Sequence, residues 1–338
     1  MVLQAAFYDR AQPGGKRPGL ENLPTSTVRT YLPGETVYTT GMSAQPPPAA
    51  EVWTINRLLR WTTDYLTREG VDDPRLSAEL LLAHALGCAK IDLYARFDRV
   101  PDDRQRTTLR ELVRRAADHQ PIAYLVGTKE FYSLAFEVTP DVLIPRPETE
   151  ALVEQAITRC RRIEDDPIHL LDLGTGSGCI ALTVLTQVDT VRAVGSDVSP
   201  EALAVAARNA RRHEINGRLT LVQADRLDLP ADCVPAGGFH LIVSNPPYVA
   251  EGQAESLPEN VRRHEPSLAL YAGPDGLSFY RTLHRDAPAL LQPGGTVLVE
   301  IGAGQARAVQ DTFEADDVFA HTGTWRDPTD PHYPVMGV

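Results

Sequence analysis

The stretch Asp172-Leu173-Gly174-Thr175-Gly176-Ser177-Gly178 decides the fold. Just before it, His169-Leu-Leu-Asp-Leu173 is a short apolar run of the kind that forms a buried strand, and residues 177–188 follow as a helix. Glycines between the two let the backbone turn tightly and come close to a ligand. A lone G-x-G-x-G is a weak signal, shared by dinucleotide folds and plain tight turns. The dinucleotide fingerprint is G-x-G-x-x-G/A, whereas here Gly178 arrives one position early and Cys179 fills the last slot. The acid Asp172 stands at the strand end before the glycines. A diphosphate is repelled by that carboxylate and a cationic amino-acid group is attracted to it, so the loop favours S-adenosylmethionine over NAD.

Outward from this loop, strand and helix alternate. Strands are expected at 191–197, 219–225, 239–245 and 295–302, helices at 200–214 and 276–291, and two further strands within 317–338. Alternation of this kind predicts an α/β fold: a doubly wound, mostly parallel sheet with ligands at the carboxyl ends of its strands. Asp197 ends the second strand 25 positions after Asp172, where an acid can accept both ribose hydroxyls; a helix N-cap before Ser199-Pro200 is the plainer alternative. Asp225 closes the third strand, placed either to take an adenine amino group or simply to make a turn.

Asn245-Pro246-Pro247-Tyr248 closes the fourth strand. Two prolines stop the strand and stiffen the loop. Such a loop can present the Asn245 side-chain oxygen and the Pro246 carbonyl to one point, and two acceptors can hold an NH2 group by both hydrogens. Tyr248 offers a flat wall for a planar group. The motif therefore specifies a planar substrate bearing NH2: an amide, or the amine of adenine or cytosine.

The rest of the chain sets bounds. At 338 residues, with 43% apolar and 23% charged residues, the composition is that of a globular protein of about two domains. No long apolar run predicts a membrane span, and the first residues show no secretory signal. Cys88, Cys160, Cys179 and Cys233 lie far apart without a CxxC pair, which argues against a zinc site or disulfide framework and for a reducing, cytoplasmic setting. The net charge is −12, and residues 121–338 hold 17 basic against 30 acidic residues, a poor footprint for a nucleic-acid binder.

Residues 1–50 hold 12 prolines and glycines and are expected to form a disordered tail; Met42 is read as a later start, with the first 41 residues an upstream mis-start. Residues 51–120 are expected to form a small helical domain. Ile55, Leu58, Leu59, Tyr65 and Leu66 stripe one helix; Asp73-Pro74 opens a second, lined by Leu76, Leu80, Ala83 and Leu86; Leu109, Leu112, Val113 and Ala116 stripe a third. Residues 121–145 are expected to form a hairpin linking the domains, with strand character from Phe131 to Val138, and a helix is expected at about 148–162 within a catalytic domain spanning 146–338.

These motifs together resemble class I S-adenosylmethionine-dependent methyltransferases acting on planar amino groups. Leu143-Ile-Pro-Arg-Pro-Glu-Thr-Glu150, Phe131-Tyr132, Glu265-Pro266 with Leu270, Gly273 and Asp275-Gly-Leu277, and Leu76-Ser-Ala-Glu-Leu-Leu-Leu-Ala-His84 resemble the HemK/PrmC family over about residues 52–327. The resemblance implies a seven-stranded sheet. It implies methylation of the glutamine amide in the Gly-Gly-Gln loop of class-one peptide chain release factors, with S-adenosyl-L-methionine as cofactor, no metal, and neither nucleic acid nor membrane as partner. It implies cofactor binding by Asp172, Gly174, Thr175, Gly176, Ser177, Gly178, Asp197, Asp225, Arg226 and Asn245. The glutamine would be clasped by Asn245, Pro246, Pro247 and Tyr248, with Arg146 and Glu150 nearby. Arg226 stands where the family often has an aromatic residue, and after Arg326-Asp327 the segment Pro328-Thr-Asp-Pro-His-Tyr replaces the usual Gly and Arg, so the last strand is expected to be altered. A glutamine methyltransferase of a ribosomal protein, a nucleic-acid amino methyltransferase and a non-catalytic scaffold are the alternatives.

Overall fold

The computed structural model describes residues 52–215, 217–326 and 334–337; the expectations for the N-terminal tail and for residues 328–333 lie outside them. The chain divides into two compact units, one up to Asp118 and one from His119.

The first unit is helical: α1 (Ile55–Arg68), α2 (Pro74–Leu86), the short α3 (Lys90–Ala95) and α4 (Asp103–Ala117). Thr54 caps α1 by accepting from Arg57 N, and Asp102 and Gln105 form a reciprocal capping box on α4. Two expectations change. Asp73 precedes α2 in a left-handed conformation and its side chain caps nothing, so Pro74 at the first helical position is what starts the helix. The buried face of α2 is Ala78, Leu81, Leu82, Ala83 and Leu86, while Leu76 is exposed. This helix is apolar on most of its circumference, so periodicity alone does not select the face.

The second unit opens with α5 (Ile122–Val126) and a hairpin of β1 (Thr128–Phe131) and β2 (Leu134–Glu137). Tyr132 and Ser133 form its turn, both at positive φ, so the expected single run from Phe131 to Val138 is broken there. Phe131 and Phe136 are buried in the core of this unit, which makes the expected linker part of the sheet domain. Then follow α6 (Thr149–Cys160), β3 (Ile168–Leu173), α7 (Cys179–Gln187), β4 (Val191–Asp197), α8 (Pro200–Arg212), β5 (Leu219–Gln223), β6 (Phe239–Ser244), α9 (Glu259–His264), α10 (Ser278–Asp286), β7 (Leu291–Glu300), α11 (Ala306–Phe313), β8 (Gly323–Arg326) and β9 (Pro334–Gly337).

The seven strands lie in the order β5-β4-β3-β6-β7-β9-β8. Five are parallel, and the last two pair antiparallel at one edge. The doubly wound α/β class is therefore as expected. Strand period assigns the faces. Leu170, Val243 and Leu298 pack with α6 and α7 on one face, and Leu171, Ile242 and Val299 pack with α10 and α11 on the other.

Asn209 of α8 joins the hairpin to the glycine loop. Its Oδ1 accepts from Glu137 N at 2.7 Å, and its Nδ2 donates to the carbonyls of Glu137 at 3.0 Å and Ser177 at 2.9 Å. The side chain is fully buried. Asn209→Ala leaves one buried carbonyl, that of Ser177, and two half-buried groups of Glu137 unpaired, at about 1–3 kcal/mol for the buried one and less for the others before relaxation. We expect denaturant unfolding to show a loss on the order of 2–3 kcal/mol; a loss below about 1 kcal/mol would show that the tie is dispensable.

Candidate active site

The carboxyl ends of β3, β4 and β6 open onto one cavity of about 620 Å³, within the range of small-molecule sites. The glycine loop forms its floor. Gly174 N and Thr175 N both donate to the Ser196 carbonyl at 2.9 Å, which hangs the loop on β4. Gly178 sits at φ +81°, and a Cβ there would stand 2.9 Å from Leu182 Cδ1, so only glycine fits between loop and helix.

Asp197 points into this cavity with both oxygens engaged. Oδ2 accepts from Gly176 N at 2.9 Å and Oδ1 from Ser199 N at 3.0 Å. The helix cap is Ser199, whose hydroxyl accepts from Ala202 N, so the alternative reading of Asp197 as the cap is removed. Each carboxylate oxygen keeps a second acceptor site. Asp225 lies at the exposed rim, two residues past the end of β5 rather than within it. Arg226, at positive φ, lines the same wall, and its guanidinium donates to Thr282 Oγ1 at 3.2 Å. The acids Asp141, Asp197, Glu201 and Asp225 outnumber Arg146 and Arg226 on the wall, a balance that suits a cationic ligand.

Asp172 is not on that wall. It is completely buried behind the loop, on the α7 face of β3. Its Oδ2 accepts from Thr175 Oγ1 at 2.7 Å and from Ala181 N at 3.1 Å, while Oδ1 has no partner among the described residues. Burial pushes its carboxyl up to about 6, against the hydrogen bonds that favour the ionised form. Its place in the expected cofactor set is thereby corrected: it staples the loop to the helix.

Across the cavity, Asn245 follows the end of β6. Its Nδ2 donates to Thr149 Oγ1 at 3.0 Å, and its Oδ1 is buried with no hydrogen-bond partner among the described residues. Pro247 lines the cavity beside it, but Pro246 and Tyr248 do not. The Tyr248 ring turns inward against the α10 and α11 core, and the backbone carbonyl of Tyr248 accepts from Gln305 Nε2 at 2.9 Å. Arg146 lines the cavity with its guanidinium tied to the buried Glu265 carboxylate, which also accepts from Ile144 N. Glu150 is elsewhere, accepting from Tyr132 N at 2.8 Å at the hairpin turn, because the next helical residue after Thr149 faces about 100° away.

The residues missed are Thr149 and Glu300. Thr149 lines the cavity, and its hydroxyl donates to Glu300 Oε2 at 2.7 Å. Burial pushes the Glu300 carboxyl up to about 7. Thr149 stood inside the quoted motif, and strand period puts Glu300 on the same face as Leu298, toward α6.

This fold and this cavity define a class I S-adenosylmethionine-dependent methyltransferase. Residues 57–127 match the PrmC N-terminal domain family and residues 151–261 the methyltransferase small domain family. The chain is 43% identical over 251 residues to the release factor glutamine methyltransferase of Rhodopirellula baltica, covering 74% of this chain and 84% of that protein. It is 42% identical over 280 residues to that of Geobacter sulfurreducens, covering 82% and 94%, and 40% identical over 267 residues to that of Chlorobaculum tepidum, covering 78% and 90%. The chain belongs to the release factor glutamine methyltransferase family. Among the described residues no helix is long and apolar enough to cross a membrane.

Burial of Asp172 makes stability depend on pH. Its folded value, about 6, lies above the 3.8 of an exposed aspartate, so its contribution to stability is full below about pH 4 and is lost as pH rises through 6. Asp172→Asn removes the ionisable group and keeps an acceptor for Thr175 and Ala181. Its stability relative to the native chain should be about 1 kcal/mol more favourable at pH 7.5 than at pH 5. Denaturant curves at the two pH values test this, and an equal or opposite difference would refute it.

Proposed function

We propose that this chain transfers the methyl group of S-adenosylmethionine to the side-chain amide nitrogen of the glutamine in the Gly-Gly-Gln loop of class-one peptide chain release factors. The observation that carries the reading is Asn245, whose NH2 is tied to Thr149 and whose oxygen is left as an unused acceptor in a buried position. A substrate N–H is the group that such an oxygen lacks. When bound, the cofactor supplies an electrophilic methyl on a sulfonium centre. The cavity fits it, being large enough, acid-walled and floored by the glycine loop.

Cofactor binding is assigned to the loop 174–178, Asp197, Asp225 and Arg226. The guanidinium takes the place of an aromatic residue beside the adenine and can stack on it. Asn245 accepts from the glutamine NH2, orients the nitrogen in line and pushes electron density onto it. The Pro246 carbonyl is assigned to the clasp by the family resemblance alone, and the Tyr248 ring, turned into the core, is left out of it. Most of the gain in rate comes from positioning a poor nucleophile. The helical unit is assigned to docking the protein substrate. The four cysteines are unpaired, consistent with action in the cytoplasm.

Asn245→Ala leaves the substrate NH2 free to turn out of line. Turnover on a purified release factor should fall at least about a hundredfold, equivalent to about 2.7 kcal/mol of activation free energy. Calorimetric cofactor affinity should change far less. A release factor carrying glutamate in place of the loop glutamine should not react, because a carboxylate brings no N–H to the acceptor. Near-native turnover of Asn245→Ala, or a methyl group located by mass spectrometry on a nucleobase, would refute the assignment.

A further inference from the structure

Glu300 ends β7 almost completely buried, behind the cavity wall, and the reaction described so far makes no use of it. It reaches the site through the Thr149 hydroxyl and through the Asn245 amide beside it. A hydroxyl has one proton to give and two sites that accept. Since Thr149 Oγ1 gives its proton to Glu300 Oε2, it can only accept from Asn245, and the asparagine must turn its NH2 toward it. The Asn245 amide also lies close enough to favour the ionised form of Glu300. The oxygen of Asn245 is left free as a consequence. With Glu300 neutral, its own O–H can donate to Thr149. The Thr149 proton is then released toward Asn245, and the amide gains by turning over, because the two orientations of an asparagine differ only in the partners they find.

We infer that Glu300 and Thr149 are positioning residues: together they hold the Asn245 amide with its oxygen, not its NH2, available to the substrate. The inference rests on the reading of Asn245 as the acceptor for the substrate amide.

The groups facing Glu300 are Arg146 and Glu148 from the segment before α6, Cys179 from α7 and Tyr280 from α10. Burial pushes the Cys179 thiol up to about 12 and the Tyr280 hydroxyl well above its usual value, so both stay neutral near pH 7. Arg146 is committed to Glu265, and Glu148 opposes ionisation of Glu300. Glu300 itself changes charge at about pH 7, so the orientation of the amide is coupled to pH in the working range.

The test uses the full chain with 15N-labelled asparagine side chains, the Asn245 signal being the one lost in Asn245→Asp. In the native chain this NH2 signal should shift through a midpoint near pH 7. In Glu300→Gln it should lose that titration, and in Thr149→Val the shift should shrink to what the direct neighbourhood of Glu300 and Asn245 leaves. The Glu300→Gln arm also separates Glu300 from Asp172, which titrates near 6. Turnover of the native chain should rise about tenfold per pH unit below the midpoint and level off above it, as for a single essential ionisation. Glu300→Gln should be flat with pH and at least about tenfold below the native plateau, with cofactor affinity within about threefold of native. A native Asn245 signal that does not move between about pH 5.5 and 8.5, or a Glu300→Gln variant that keeps the rising limb, overturns the inference. A native chain whose Asn245 titrates while release-factor glutamine stays unmethylated overturns the functional reading and leaves the positioning role standing.

Discussion

The reversal of strand order at β3 is the constraint on which the site depends. β3 pairs with β4 on one side and with β6 on the other, so the chain leaves β3 and β6 in opposite directions and a crevice opens between their carboxyl ends. Four neighbouring strands then deliver one group each to a single edge: Asp197 from β4, the glycine loop from β3, Asn245 after β6 and Glu300 from β7. At about 4.8 Å between strands, the row spans roughly 15 Å. The groups that line the cavity, from Asp197 to Asn245, span two of those spacings, and Glu300 stands behind the wall at the far end of the row.

Strand parity adds a second order to the row. Leu170 and Asp172, Val243 and Asn245, and Leu298 and Glu300 are pairs two residues apart, so in each pair the polar residue inherits the α6 and α7 face of its apolar neighbour. Asp172 meets the start of α7, while Asn245 and Glu300 meet the start of α6 at Thr149. The two buried acids are raised by the same cause, loss of water, and each is kept from further penalty by donors at a helix start. Asp172 holds the floor of the cavity and Glu300 the back of its opposite wall.

The sheet was legible because parallel strands covered on both faces leave uninterrupted apolar runs, and because glycines and prolines punctuate their ends. The glycine loop, Asp197 and the Asn-Pro-Pro-Tyr loop were legible for the same reason, since each is a strand end followed by residues that constrain the backbone. Direction was harder to read than position. Asp172 was placed correctly at the end of β3 but assigned to a ligand, although its parity with Leu170 already turned it under the loop. Glu150 and Thr149 are adjacent in one motif, and only the helix start decides which of them faces the cavity. Tyr248 follows two prolines whose turn carries its ring into the core, a direction that no propensity encodes. Glu300 looked like an ordinary polar strand end, because nothing in the one-dimensional pattern shows that Thr149 waits opposite it.

Charge explains why an asparagine stands at 245. An aspartate there would set a second carboxylate beside Thr149, within reach of Glu300, and the single Thr149 proton could satisfy only one of them. One acid would then take up a proton to relieve the repulsion, and the acceptor strength at the cavity would depend on which one did. A neutral amide avoids the conflict because its two ends differ. The NH2 end satisfies Thr149 and moderates the burial of Glu300, while the oxygen end remains a pure acceptor. The buried charge stays one residue removed from the chemistry, where it can fix the direction of the amide without presenting a base to the substrate or a counter-charge that over-stabilises a cationic cofactor.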